Sequence, residues 1–242
     1  MKSQIKKIKS DFVVEKGFTL IELLVATVIM SLVVTLAGTA FVSILQQNKK
    51  AEFETQRRTN LNRALDYIAN EIRMANTISA GSDSEVMSLT IPTLTINYPV
   101  GVTNPTPNDA LSYEFDNSNT VTYSIGDSTG VWADNSNPPS KSITRNGNFI
   151  VDAIKAPVRE GNPLTCPNGT VYETTSGTCI PNCADGSTLS PADPVTGRNG
   201  FYACIYDSGN KADLYLYGKL SDDTSETMEV KSTVFTRAES VN

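Results

Sequence analysis

From Phe18 to Leu45 the chain is apolar and uncharged except for one side chain, Glu22. At ~1.5 Å per residue, a helix over residues 18–45 reaches about 42 Å, against the ~30 Å hydrocarbon core of a bilayer. The run is long enough to span a membrane. A carboxylate in lipid costs on the order of a few kcal/mol, so Glu22 is either an acid tolerated at the interface or one with a partner. The segments also stand in the wrong order for a secretory signal, whose cut lies beyond its apolar core next to small residues. Here MKSQIKKIKSDFVVEKG comes first, with five lysines against Asp11 and Glu15, and it ends in Gly17 at the edge of the apolar run. A cut after Gly17 removes the charged leader and keeps the helix, with Phe18 as its new N-terminus.

KGFTLIELL resembles the processing site of type IV prepilins and pseudopilins: glycine before the cut, phenylalanine after it, then Thr-Leu-Ile-Glu-Leu. The resemblance implies that prepilin peptidase cuts after Gly17 and N-methylates Phe18, and that Glu22 places subunits in a filament. Cleavage puts a positive amine on Phe18, beside a helix N-terminus that already carries roughly half a positive charge. A carboxylate four residues along complements both. In the family its preferred partner is the amine of a neighbouring subunit. Breaking a buried ion pair is costly even where its net stabilisation is small, so such a pair selects register.

Further along, RALDYIANEIRMA is similar to the matching segment of the larger minor subunits, the J-type pseudopilins and W-type minor pilins. The function implied is that of a minor pilin or pseudopilin, a structural subunit and not an enzyme, that initiates or caps a type IV pilus or type II secretion-like filament. The partners implied are prepilin peptidase, other major and minor pilins or pseudopilins, the membrane assembly platform with its ATPase, and membrane lipid before assembly. The location implied is the cytoplasmic (inner) membrane, crossed once, with an exported C-terminal head that later joins a periplasmic or cell-surface filament.

Charge agrees. The leader is +3, five lysines less two acids, so removing it from a chain of −6 leaves −9. So acidic a product is a poor partner for nucleic acid, and none is expected. The positive-inside rule keeps the lysine leader in the cytoplasm, although Lys49, Lys50, Arg57 and Arg58 on the far side weaken the asymmetry. Cys166, Cys179, Cys183 and Cys204 all fall in the part expected to face an oxidising compartment, which favours disulfides. Four cysteines allow three pairings that the sequence leaves open; Cys166 with Cys179 and Cys183 with Cys204 is the favoured one. Zinc is the rival, but the usual close ligand pairs are missing and the chain has no histidine.

The expected fold is α+β. A cleaved leader occupies residues 1–17, a membrane and filament-core helix 18–45, an amphipathic continuation 46–78, and a β-rich head 79–242 with its cysteine region at 166–204. No proline precedes Pro92, and Leu61, Leu65, Ile68, Ile72 and Ala75 recur at four-three-four-three spacing on one helical face. Glu54 and Arg58 form an i,i+4 pair, and Arg73 suits the negative end of the helix dipole. Gly38 marks a kink or a packing point. In the head, LSYEF and TVTYSI around DNSN read as one antiparallel hairpin, and SITRNGNFIVDAI as another around Asn146-Gly147. Trp132 is expected to cap the core. The cysteine region, rich in glycine and proline, is expected to bury little, with a small hairpin between Cys166 and Cys179.

Without histidine, Ser-His-Asp and Cys-His catalysis are excluded, and no phosphate-binding glycine loop is present. Asp222 and Asp223, with Asp213 and Glu226 near them, are candidates for calcium of the kind some pseudopilins hold in a C-terminal loop. They lack EF-hand spacing and read more simply as a solvated acidic loop, so no cofactor is expected. Two rivals remain: an adhesive tip module using the disulfide loops, and a membrane-tethered enzyme, which needs an organised polar pocket in the head.

Overall fold

The computed structural model describes residues 17–82, 84–97, 112–129, 139–159, 161, 165–167, 169–175, 177–191, 200–206, 208–220 and 227–237. It forms two compact units that divide between Lys49 and Lys50. One helix, α1 (Leu20–Met74), supplies the described helical residues of both.

In the first unit, the described residues of α1 are exposed, bulky ones such as Leu36 and Phe41 among them. Four of its hydroxyls are satisfied internally: Thr27, Ser31, Thr35 and Thr39 donate to Leu24, Val28, Ser31 and Leu36 carbonyls at 2.8 to 2.9 Å. Such pairing is what a hydrocarbon environment demands of a polar side chain. Gly38 does not break the helix, and a Cβ there would meet nothing.

In the second unit, the expected stripe is the buried face of α1: Leu61, Ala64, Leu65, Ile68, Ala69 and Ile72, with Ala75 just beyond it. Glu54 pairs with Lys50 at 3.9 Å, not with Arg58. Arg73 donates to Asn70 at 2.6 Å. The helix ends at Met74, short of the Ile78 limit set from sequence, because the next residues join the sheet. Asn76 N–H donates to Thr90 O at 2.8 Å, and Thr77–Ala80 forms β1 against β2 (Glu85–Thr90). Threonine and isoleucine at 77 and 78 favour that pleated setting.

The remaining strands are β3 (Thr93–Asn97), β4 (Ser112–Asp116), β5 (Thr120–Asp127), β6 (Lys141–Arg145), β7 (Asn148–Ile154), β8 (Thr170–Glu173), β9 (Thr178–Pro181), β10 (Ser187–Ser190), β11 (Phe201–Tyr206), β12 (Lys211–Lys219) and β13 (Thr227–Phe235). Among the described residues the main sheet runs β1-β2-β5-β6-β7-β12-β11-β10, with β13 added to β12, and its pairings are antiparallel. The fold is α+β: one long helix, an antiparallel sheet and a disulfide-bonded loop region.

The β6–β7 hairpin turns at Asn146-Gly147, both at positive φ (47° and 78°), as a mirror-image two-residue turn requires. The other expected hairpin is corrected. β4 pairs with β3, and β5 with β2 and β6, so LSYEF and TVTYSI are not partners. Pro92 cannot donate to a ladder and interrupts one strand where Asn117–Asn119 interrupts the other, so a single long hairpin is read as separate pieces. The expectation of little burial in the cysteine region also fails at its end: Phe201, Tyr202, Ala203, Cys204 and Ile205 of β11 are all buried. Cys166 is joined to Cys179 and Cys183 to Cys204, with Cα atoms 5.7 and 5.6 Å apart. β8, inside the first of these loops, pairs with β9, which carries Cys179 and runs beyond the loop to Pro181, so the expected small hairpin extends past the disulfide. Trp132 lies outside the described residues.

Candidate processing and assembly site

Gly17, Phe18 and Thr19 lead into α1 without helical structure, and Phe18 is 88% exposed. A Cβ on Gly17 would meet nothing within 4 Å, so the chain itself does not require glycine there.

Glu22 has a local role that its sequence position also encodes. Its Oε2 accepts the Thr19 N–H and the Thr19 hydroxyl, both at 2.9 Å, and Thr19 Oγ1 accepts the Glu22 N–H at 3.3 Å. This is a capping box: threonine before the first turn, glutamate three residues on, each satisfying a backbone donor of the other. Thr-Leu-Ile-Glu carries that signature, and the sequence reading passed over it. Oε1 takes no hydrogen bond from the described residues, leaving one carboxylate oxygen at the positive end of the helix dipole open to a cation. Beside it, Ile21, Val25, Ala26 and Ile29 line a shallow open depression of about 300 Å³.

Of the calcium candidates only Asp213 lies among the described residues. Asp213 accepts the Tyr206 hydroxyl at 2.9 Å on one oxygen and the Thr233 hydroxyl at 2.7 Å on the other. Asp222, Asp223 and Glu226 lie outside the described residues. Among the described residues no group of three or more histidine, cysteine, aspartate or glutamate side chains could hold a metal.

A second constellation was missed in the sequence. Glu71, buried on the inner face of α1, accepts Arg145 Nε on both oxygens at 2.8 and 2.9 Å and the Tyr67 hydroxyl at 3.3 Å. It also accepts the Tyr123 hydroxyl. Burial, then the hydrogen bond to Glu71, pushes the Tyr123 phenol far above its ordinary value, and the same carboxylate raises Arg145. The available signal was Glu71 itself, an acid seven residues after Ala64 on an apolar face.

A half-open groove of about 410 Å³ flanks this helix, lined among others by Arg57, Arg63, Tyr67, Phe149, Asp152 and Lys219. Asp152 Oδ1 accepts the Ser128 hydroxyl and the Ala153 N–H. The residues lining the groove include no histidine or cysteine.

The Prokaryotic N-terminal methylation motif matches residues 14–38, a span containing Gly17, Phe18, Thr19 and Glu22. Comparison with curated proteins and with solved structures gives no match. The motif is that of a pilin-like, processed subunit, and with the exposed apolar helix that follows it, it fits membrane anchoring of a C-terminal head.

Proposed function

We propose that the chain is a minor pilin or pseudopilin of the larger, W- or J-type kind, which initiates or caps a type IV pilus or a type II secretion-like filament. The observation that carries this reading is the methylation motif over residues 14–38, set on an apolar helix whose one charge up to Leu45 is Glu22. Prepilin peptidase removes residues 1–17 and methylates the new amine of Phe18. Residues 18–45 hold the protein in the inner membrane with its head exported, until the assembly platform and its ATPase bring it among other subunits. Glu22 then offers its open oxygen to the Phe18 amine of a neighbour. A head of this size suits a tip, since it need not repeat along a shaft. The work is assembly and not catalysis, and no cofactor is required.

Mass spectrometry of the N-terminus in the native host tests the first step. The expected species begins at N-methylated Phe18, and replacing Gly17 by a bulky residue should leave an uncut, membrane-bound precursor. An intact Met1, or a cut elsewhere, would overturn the reading.

A further inference from the structure

Two surfaces of the second unit are incomplete, and each offers what the other lacks. The first is the ribbon of β3 and β4. It pairs with no further strand among the described residues, and a two-stranded ribbon is marginal in water by itself. Leu94 and Phe115 are directly opposed on one face, while Thr95 and Glu114 are opposed on the other. Phe115 is 66% exposed, and Leu94 and Ile96 are exposed as well. In Glu114-Phe115-Asp116 the aromatic ring therefore stands on one face and two carboxylates on the other. Neither carboxylate meets a cation: Glu114 accepts Asn97 Nδ2 at 3.3 Å, and Asp116 accepts the hydroxyl and the N–H of Ser118.

The second surface is the groove between α1 and β7. β7 pairs with β6 along one edge, but along the other only Ile154 has a strand partner among the described residues, Gly218. Residues 148–153 thus present an open strand edge. The β7 wall of the groove is largely apolar, with Phe149 62% exposed and Ile150, Val151 and Ala153 after it; Asp152 there is engaged by Ser128 and the Ala153 N–H. The α1 wall carries Arg63, which is exposed and makes no hydrogen bond or ion pair among the described residues.

We propose that Glu114-Phe115-Asp116 of one copy of this chain seats in the groove of a second copy, as a strand added along the open edge of β7. Phe115 then covers the apolar wall and the two acids turn to Arg63, so the two faces of β4 match the two walls. Main-chain pairing supplies the hold and the side chains the selectivity, as in other strand additions. Ribbon and groove are different patches, so the contact is heterologous and runs head to tail. It goes beyond the proposed function, in letting more than one copy stand together at a filament end. A seat of three residues falls well short of the ~800 Å² per partner of a stable interface, so freed heads stay apart. Copies confined to one bilayer gain the local concentration that a tether gives.

The test uses the full chain in phosphatidylcholine vesicles. One preparation carries Thr95→Cys in the ribbon and another Asn148→Cys at the end of β7; both positions are exposed, and the native cysteines are paired. Reconstituted together, the two should be joined by a bismaleimide, and either alone should not. Glu114→Lys with Asp116→Lys in the first chain should lower the mixed product by about tenfold, since like charges then face each other. Arg63→Glu in the second chain should recover it. Three results overturn the proposal: cross-linking within one preparation, which marks a symmetric contact; no mixed product, which leaves the ribbon to another partner; and a product indifferent to charge reversal, which marks chance encounter. The contact does not depend on processing, so an uncut N-terminus in the native host sinks the pilin-like reading and leaves the cross-link standing.

Discussion

Glu22 caps α1 and, on the proposed function, also pairs with a neighbouring subunit, and one substitution separates the two roles. Glutamine can keep the capping box with Thr19, because an amide oxygen still accepts the backbone N–H, but it carries no charge. Glu22→Gln should therefore leave the helix start, membrane insertion and cleavage intact while abolishing entry into the filament. Glu22→Ala should also fray the first turn, by about 1 kcal/mol. Membrane-pool abundance compared with cross-linking to neighbouring subunits checks this, and normal incorporation of cleaved Glu22→Gln would leave Glu22 with its capping role alone. Tyr123 makes a prediction about pH. Its folded pKa is raised, so its contribution to stability is complete below the unfolded phenol value of ~10 and is lost as pH rises above it. Thermal melts between pH 8 and 11 should show falling stability, with a shallower fall in Tyr123→Phe. Some slope should persist, because burial also raises Tyr202 and Tyr217.

Among the elements, β11 depends most on a covalent link. Cys204 lies within it, and its partner Cys183 sits in the connection that follows β9, so their bond ties a loop to a buried strand. Replacing both cysteines by serine should cost roughly 2 to 5 kcal/mol in denaturant unfolding. An unchanged midpoint would show that β11 needs no staple. This strand also marks where the sequence stopped being legible. FYACIY sits among glycine, proline and asparagine, and that local texture hid a run buried on both faces, which has no alternation to reveal it. The helix stripe was readable because α1 has one wet face and one dry face, and Asn146-Gly147 because a two-residue turn demands such residues. The β4–β5 misreading arose because turn chemistry reports a bend, not which strands flank it. Glu71 escaped because its partners lie 52 and 74 residues away, and no local pattern joins them.

For the whole molecule, the division at Lys49 and Lys50 leaves the core residues together in the second unit. A fragment lacking residues 1–45 should be soluble, folded and monomeric, as judged by light scattering and a cooperative melt. Aggregation would mean that the stripe beginning at Leu61 lacks sufficient cover. The first unit is built to the opposite specification. Thr27, Ser31, Thr35 and Thr39 spend their hydroxyls on their own helix, so they ask nothing of whatever surrounds it. To such a segment, acyl chains and the flank of another helix are interchangeable company. On the proposed reading, passage from one to the other exchanges dispersion contacts and breaks no hydrogen bond of these four hydroxyls, and the cost of leaving the bilayer falls at the Glu22 end, where a charge would trade hydrated lipid headgroups for a single amine.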